Sequence, residues 1–107
     1  EEKISQIFKR AYETLEERIE EAGELDEDER IDLEFEAEEE LNKTLETELE
    51  KFGLKVYYVD SMNPIFDYYD LIDEKNGIVY LVDVTRTSLI DVKVTKKALD
   101  EYNHEHR

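Results

Sequence analysis

The sequence predicts an α+β fold, an α/β sandwich in which helices pack on a small three-stranded sheet. Apolar residues recur at every third or fourth position in the first half of the chain, as they do on one face of a helix. Residues 54–87 are rich in β-branched and aromatic side chains, which is typical of strands. Asn76-Gly77 lies between two of these apolar runs and indicates a hairpin. Since 107 residues suffice for one core, we expect a single domain over 1–107.

Two helices are expected in the first half, over 1–23 and 26–52. The first presents a regular apolar face that ends at Gly23, a residue type that commonly follows a helix; this face comprises Ile4, Ile7, Phe8, Ala11, Leu15, Ile19 and Ala22. The second carries leucines at the same spacing as far as Gly53: Leu41, Leu45 and Leu49. Its beginning is ambiguous, because residues 31–37 alternate apolar and acidic side chains as a strand does. We expect helix from about Arg30, since a glutamate-rich composition favours helix.

The sheet is expected over 54–87 and a C-terminal helix over 88–106. Residues 78–84 are almost wholly apolar, as in a central strand that is buried on both faces. The tail permits two interpretations. Ile90, Val92 and Val94 alternate as in a strand, whereas residues 89–102 also fit a helix capped by Ser88. We expect the helix, secure from about Lys96 and beginning there or at Ser88.

The hairpin predicts a pair of facing carboxylates. If Asn76 and Gly77 are the two central residues of a type I′ turn, Asp70 lies directly opposite Asp83, with Cβ atoms about 5 Å apart. Like charges in that position are destabilising, unless a cation binds between them or one carboxylate takes up a proton. The pair therefore indicates a site for Mg²⁺ or Mn²⁺. The plainer alternative is a solvated pair or one with a lysine partner.

The same register places Arg86 opposite Asp67, on the other side of the sheet from Asp70. We interpret this second pair as a structural ion pair rather than a phosphate contact.

These residues resemble the PD-(D/E)XK nucleases, the restriction-endonuclease-like superfamily. The family pattern is an acid in one strand, a hairpin turn, and a hydrophobic strand that ends in acid-x-lysine. Here it runs from Asp70 to Val79-Tyr80-Leu81-Val82-Asp83-Val84-Thr85. The resemblance covers residues 30–107 and implies a restriction-endonuclease-like core that hydrolyses phosphodiester bonds of nucleic acid with Mg²⁺.

The resemblance also implies roles for individual residues. Asp70 and Asp83 would bind the metal, joined by an acid of the second helix, Glu39 or its neighbours Glu38 and Glu40. The catalytic lysine of the family falls at Thr85, whose neutral hydroxyl cannot stabilise charge on a phosphate as an ammonium does. We expect a lysine from the following segment to act instead, as in members with a migrated lysine; the candidates are Lys93, Lys96 and Lys97. This departure, with the absence of the family's last core strand, leaves an inactive relative open.

The distribution of charge favours a second hypothesis. The chain has a net charge of −17. Residues 1–51 hold 21 acidic and 7 basic residues, a net of −14, and residues 52–107 a net of −3. Such a field repels nucleic acid from the N-terminal surface. It is typical of a non-catalytic acidic binding protein, an inhibitor, immunity protein or nucleic-acid mimic that binds a basic partner. A third interpretation, an engineered scaffold, rests on the regular first helix, although the tyrosine-rich middle is typical of a natural protein.

Partners and location follow from these hypotheses. Nucleic acid is the expected partner of a nuclease and a basic protein that of an acidic binder, and a homodimer is a further option. No apolar run approaches the length of a membrane span and no targeting segment is visible, so we expect a cytoplasmic protein without membrane contact. The lack of cysteine fits a reducing compartment. The chain begins at Glu1 rather than Met, as expected of a trimmed chain or a piece of a longer one.

Overall fold

The computed structural model describes residues 2–59, 66–85 and 92–101. Two helices come first, α1 (Glu2–Glu21) and α2 (Glu27–Glu50). Four strands follow: β1 (Lys55–Val59), β2 (Phe66–Asp73), β3 (Ile78–Thr85) and β4 (Val92–Ala98). The strands form one antiparallel sheet in the order β1-β2-β3-β4. The predicted α+β class with two N-terminal helices is therefore confirmed, but the sheet has four strands where three were predicted.

The beginning of α2 is fixed by a side-chain cap. Asp26 accepts a hydrogen bond from the backbone N–H of Glu29 at 2.8 Å, and this bond lowers the pKa of the Asp26 carboxyl below its ordinary value. The first turn is acidic, which suits the positive end of a helix. The prediction that residues 31–37 are helical is thus confirmed, although their alternating apolar and acidic side chains also fitted a strand. Helical spacing lets Leu33 and Ala37 line cavities shared with α1.

The core lies between the helices and one face of the sheet. Its fully buried side chains come from both layers: Phe8, Tyr12, Leu45, Leu49, Leu71, Val82 and Val84. Because side chains alternate along a strand, the opposite face of the sheet carries the intervening residues. We call it the far face; it includes Tyr68, Asp70 and Ile72 of β2 and Val79, Leu81, Asp83 and Thr85 of β3.

The predicted register of the β2–β3 hairpin is wrong by two residues. Asp73 pairs with Ile78, so four residues, 74–77, make the turn. The Asp73 side chain accepts hydrogen bonds from the backbone N–H and side-chain amide of Asn76, at 3.1 and 2.7 Å. A type I′ turn needs positive φ at both central residues, but only Gly77 has it, with φ +65°. The side-chain bonds of Asp73 therefore favour a longer turn than Asn-Gly alone predicts.

Residues 92–98, which were predicted to belong to a C-terminal helix, form strand β4 instead. It pairs with β3 from Val84↔Val92 to Ile78↔Ala98, and the described residues that follow it, 99–101, are helical. The apolar strand β3 needs a neighbour on each side, and a segment with β-branched Val92, Val94 and Thr95 supplies one of them. The alternation noted at Val92 and Val94 was the correct signal, since both pack against the core. Residues 88–91 and 102–106 of the predicted helix lie outside the described residues.

Among the residues that the structure describes, no helix combines the length and the apolar character that crossing a membrane requires.

Replacement of Gly77 by alanine should destabilise the fold by about 1 kcal/mol, because a non-glycine residue in the left-handed region costs about 1–2 kcal/mol. A Cβ at this position would meet no atom within 4 Å, so the cost comes from the backbone alone. Urea unfolding measures it. Gly77→Asn is the matched control and should cost less, since asparagine tolerates positive φ. A Gly77→Ala variant at least as stable as the wild type would contradict the strained turn.

Candidate functional site

Four predicted site residues lie on the far face, and three of them are neighbours on adjacent strands. Asp83 of β3 lies directly opposite Lys93 of β4. Asp70 of β2 is diagonal to Asp83, since Asp83 pairs with Tyr68, two residues before Asp70. Diagonal neighbours on a sheet are about 7–8 Å apart. A shift of two residues keeps both aspartates on one face. The predicted shared face is therefore confirmed and the predicted direct opposition is wrong.

The three side chains differ in their contact with water. Asp70 is 8 % exposed, Asp83 is half-buried and Lys93 is exposed. A buried carboxylate is costly unless it is hydrogen-bonded or binds a cation. Within the described ranges, no deeply buried side-chain oxygen or nitrogen lacks a hydrogen bond. Each oxygen of the Asp70 carboxylate is therefore either hydrogen-bonded or accessible to water.

The other predicted site residues lie apart from these three. Glu39 is exposed on α2, in the helix layer on the opposite side of the sheet from the far face. Lys96 pairs with Tyr80, and its Nζ lies 5.7 Å from the centre of the Tyr80 ring, on the side of the sheet that the helices cover. Lys97 pairs with Val79 and belongs to the far face. The structure thus brings Asp70, Asp83 and Lys93 together and separates them from Glu39 and Lys96.

No group of three or more histidine, cysteine, aspartate or glutamate side chains suited to a metal is found within residues 2–59, 66–85 and 92–101.

A second polar cluster lies between α1 and the sheet, where three of its residues are buried and the fourth, Tyr58, is 53 % exposed. The Tyr12 hydroxyl donates to Asp67 Oδ2 at 2.8 Å, and the Tyr58 hydroxyl donates to Asp67 Oδ1 at 3.2 Å. The hydroxyls of Tyr12 and Tyr69 are 2.7 Å apart. We call these four residues the tyrosine–Asp67 cluster. Asp67 is only 5 % exposed, so its charge depends on these donors.

Aromatic packing holds the cluster in place. The Tyr69 ring makes edge contacts with Phe8 of α1 and Tyr58 of β1, with ring centres 5.1 and 5.4 Å apart. Burial raises the pKa of Tyr12 far above its ordinary value, with Tyr69 and Asp67 adding to the effect. Tyr12 therefore remains protonated and remains a donor. The cluster connects α1 to β2, and its Tyr12 hydroxyl is not activated as a nucleophile.

A cavity of about 150 Å³ opens beside this cluster. It is lined by residues of α2 and of the sheet: Glu38, Leu41, Asn42, Tyr58, Asp67 and Tyr69.

Sequence reasoning missed the tyrosine–Asp67 cluster. The predicted register placed Arg86 opposite Asp67, but the residue opposite Asp67 is Val84. Arg86 lies outside the described residues, so the ion pair itself stays a prediction. One signal was present in the sequence. Tyr12 follows Phe8 by four residues on the apolar face of α1, and a hydroxyl at a core position requires a polar partner.

Comparison of the chain with protein-family models, with curated proteins and with solved structures finds no match. The resemblance to PD-(D/E)XK nucleases therefore stays a prediction from the sequence.

Proposed function

We propose that this chain is a nuclease-like domain that binds a divalent cation, and with it a phosphate of nucleic acid, on the far face of its sheet. One observation carries the proposal: two aspartates and a lysine, Asp70, Asp83 and Lys93, occupy adjacent positions on three neighbouring strands. Acid, acid and lysine is the set that the PD-(D/E)XK resemblance implies. Lys93 was among the residues proposed to replace the lysine missing at Thr85.

Two carboxylates suit Mg²⁺ or Mn²⁺ better than they suit an ion whose ligands all come from the protein. Mg²⁺ retains several waters and is commonly held by one or two carboxylates together with substrate phosphates. Asp70 and Asp83 would supply those carboxylates. The ion would neutralise phosphate charge and lower the pKa of a bound water.

Lys93 supports the proposal by its position. It lies opposite Asp83 and is exposed, so its ammonium can approach a phosphodiester bound beside the two aspartates. A fixed cation there stabilises the negative charge that develops on the phosphate during hydrolysis. The Thr85 hydroxyl, on the same face, carries no charge and cannot replace it.

The charge distribution permits phosphate to approach this face. The strands belong to residues 52–107, whose net charge is −3, whereas residues 1–51 carry −14. The strongest repulsion therefore comes from the helix layer on the other side of the sheet, and salt screens charges beyond about 8 Å.

Mn²⁺ should raise the melting temperature of the wild type, because a ligand that binds the native state alone stabilises it by about 1.4 kcal/mol at tenfold excess over Kd. Melting curves with and without Mn²⁺ provide the measurement. Asp83→Asn should lose the response. Glu39→Gln is the matched control: it removes one negative charge from the helix layer and should respond as the wild type does.

The control separates binding from general screening of the −17 charge. If Asp83→Asn gains as much stability from Mn²⁺ as Glu39→Gln does, the far face is not the metal site.

A second function, an acidic binding protein, is favoured by the surface of α2. Residues 27–40 include nine acidic residues and one arginine, and most of these acids are exposed: Glu27, Asp28, Glu29, Asp32, Glu36, Glu39 and Glu40. A basic protein would be attracted to this surface and nucleic acid repelled. A chain that binds such a partner without cleaving nucleic acid would match this alternative.

A further inference from the structure

One face of α2 is buried at its C-terminal end and exposed to solvent at its N-terminal end. Residues spaced alternately by four and three share this face: Ile31, Phe35, Glu38, Asn42, Leu45 and Leu49. The two leucines at its C-terminal end are buried. Glu38 and Asn42 line the cavity beside Tyr58. At the N-terminal end, Ile31 is 44 % exposed and Phe35 is 65 % exposed.

The exposed end belongs to the part of α2 that packs least. Buried residues of α2 begin at Ala37, so its first ten residues bury no side chain fully. The cavity at this end of the two helices is formed by α1, α2 and their connection: Ile19, Gly23, Glu24, Leu25, Arg30 and Leu33. Ile31 and Phe35 are not among these residues, and they form an exposed apolar pair one helical turn apart.

The charge around this pair restricts what can cover it. Residues 27–40 carry a net charge of −8, from nine acidic residues and one arginine. A second copy of the chain would bring the same negative surface to the contact, and nucleic acid would be repelled in the same way. A segment that offers apolar side chains to Ile31 and Phe35 and basic side chains to the surrounding acids satisfies both requirements.

We infer that the exposed Ile31–Phe35 face of α2 is a docking surface for a basic amphipathic helix of a partner protein. Such a helix would lie along α2 and place apolar residues one turn apart on Ile31 and Phe35, the arrangement used when a helix binds in a groove. Its lysines or arginines would meet the flanking acids. The surface lies in the helix layer, so the inference is independent of the proposed metal site on the far face.

The probe is a fluorescent peptide of about five helical turns, composed of leucine and lysine with all leucines on one face, titrated with the full chain and followed by anisotropy. The wild type should bind it. The double variant Ile31→Ser/Phe35→Ser should bind about tenfold more weakly, because loss of central apolar anchors typically costs this much or more. Both residues are exposed, so the fold should be retained, and circular dichroism checks this.

Two controls separate docking from simple charge attraction. Phe52→Ser removes another exposed aromatic residue, 50 % exposed, and should leave the affinity unchanged. A peptide of the same composition with leucines spread around the helix should bind the wild type about tenfold more weakly. Equal affinity of the double variant and the wild type would overturn the inference, as would equal binding of the two peptides.

Discussion

Replacement of Tyr12 by phenylalanine should lower the free energy of unfolding by about 1.5–3 kcal/mol, the range for a hydrogen bond to a charged group. The variant keeps the ring and its packing, and it loses the hydroxyl that donates to Asp67 Oδ2 at 2.8 Å. Asp67 is 5 % exposed, so it relies on protein donors such as Tyr12 for its hydrogen bonds. Urea unfolding at neutral pH gives the difference.

Tyr57→Phe is the matched control, because the Tyr57 ring is 50 % exposed and such surface changes usually alter stability by less than about 0.5 kcal/mol. Equal stability of the two variants would mean that the tyrosine–Asp67 cluster does not hold α1 against the sheet.

Because of the same cluster, we expect the fold to lose stability at alkaline pH. Burial raises the pKa of Tyr12 above its ordinary value of 10.0, so the native state holds a proton that the unfolded chain releases near pH 10. The stability is fully present below pH 10 and falls as the pH rises above it. In Tyr12→Phe this contribution is absent, so its unfolding free energy should depend less steeply on pH above 10 than that of the wild type.

The helices were predictable because their periodicity is local. The leucines of α2 identify its buried side without any knowledge of the sheet, and Asp26 marks the beginning of the helix by a short-range hydrogen bond. Strand β4 was not predictable in the same way. Residues 92–98 fit helix and strand alike, and the open edge of β3, which is a tertiary property, decided between them.

In the candidate site, too, some features follow from local sequence patterns and others depend on tertiary structure. That Asp70 and Asp83 share a face follows from alternation along the strands, and it survives a register error of two residues. Their exact opposition depended on the turn, where Asp73 bonds to Asn76 and lengthens the loop. The contact of Tyr12 with Asp67 spans 55 residues, and no local pattern in the sequence specifies which carboxylate a core tyrosine will meet.

Cleavage of nucleic acid in the presence of Mn²⁺ should fall by about a hundredfold or more in Asp83→Asn and in Lys93→Gln. Removal of one group that stabilises transition-state charge typically lowers the rate by this factor. The Asp83→Asn variant would also bind the proposed metal more weakly. The assay uses purified protein with single- and double-stranded DNA and RNA. Activity should depend only weakly on salt, because the salt dependence of binding scales with the number of basic groups that contact phosphate, and this chain has few.

Lys96→Gln is the control that tests the geometry rather than the charge. Lys96 is three residues from Lys93 on the same strand, but its ammonium lies over Tyr80 on the helix side of the sheet. Its loss should therefore leave cleavage near the wild-type rate. If Lys96→Gln and Lys93→Gln are equally impaired, position on the far face is not what matters. Equal cleavage by wild type and Asp83→Asn would identify a contaminant. Failure of the wild type to cleave any of the four substrates would favour the acidic binding protein, because the helix-layer surface that supports that function does not depend on Asp83 or Lys93.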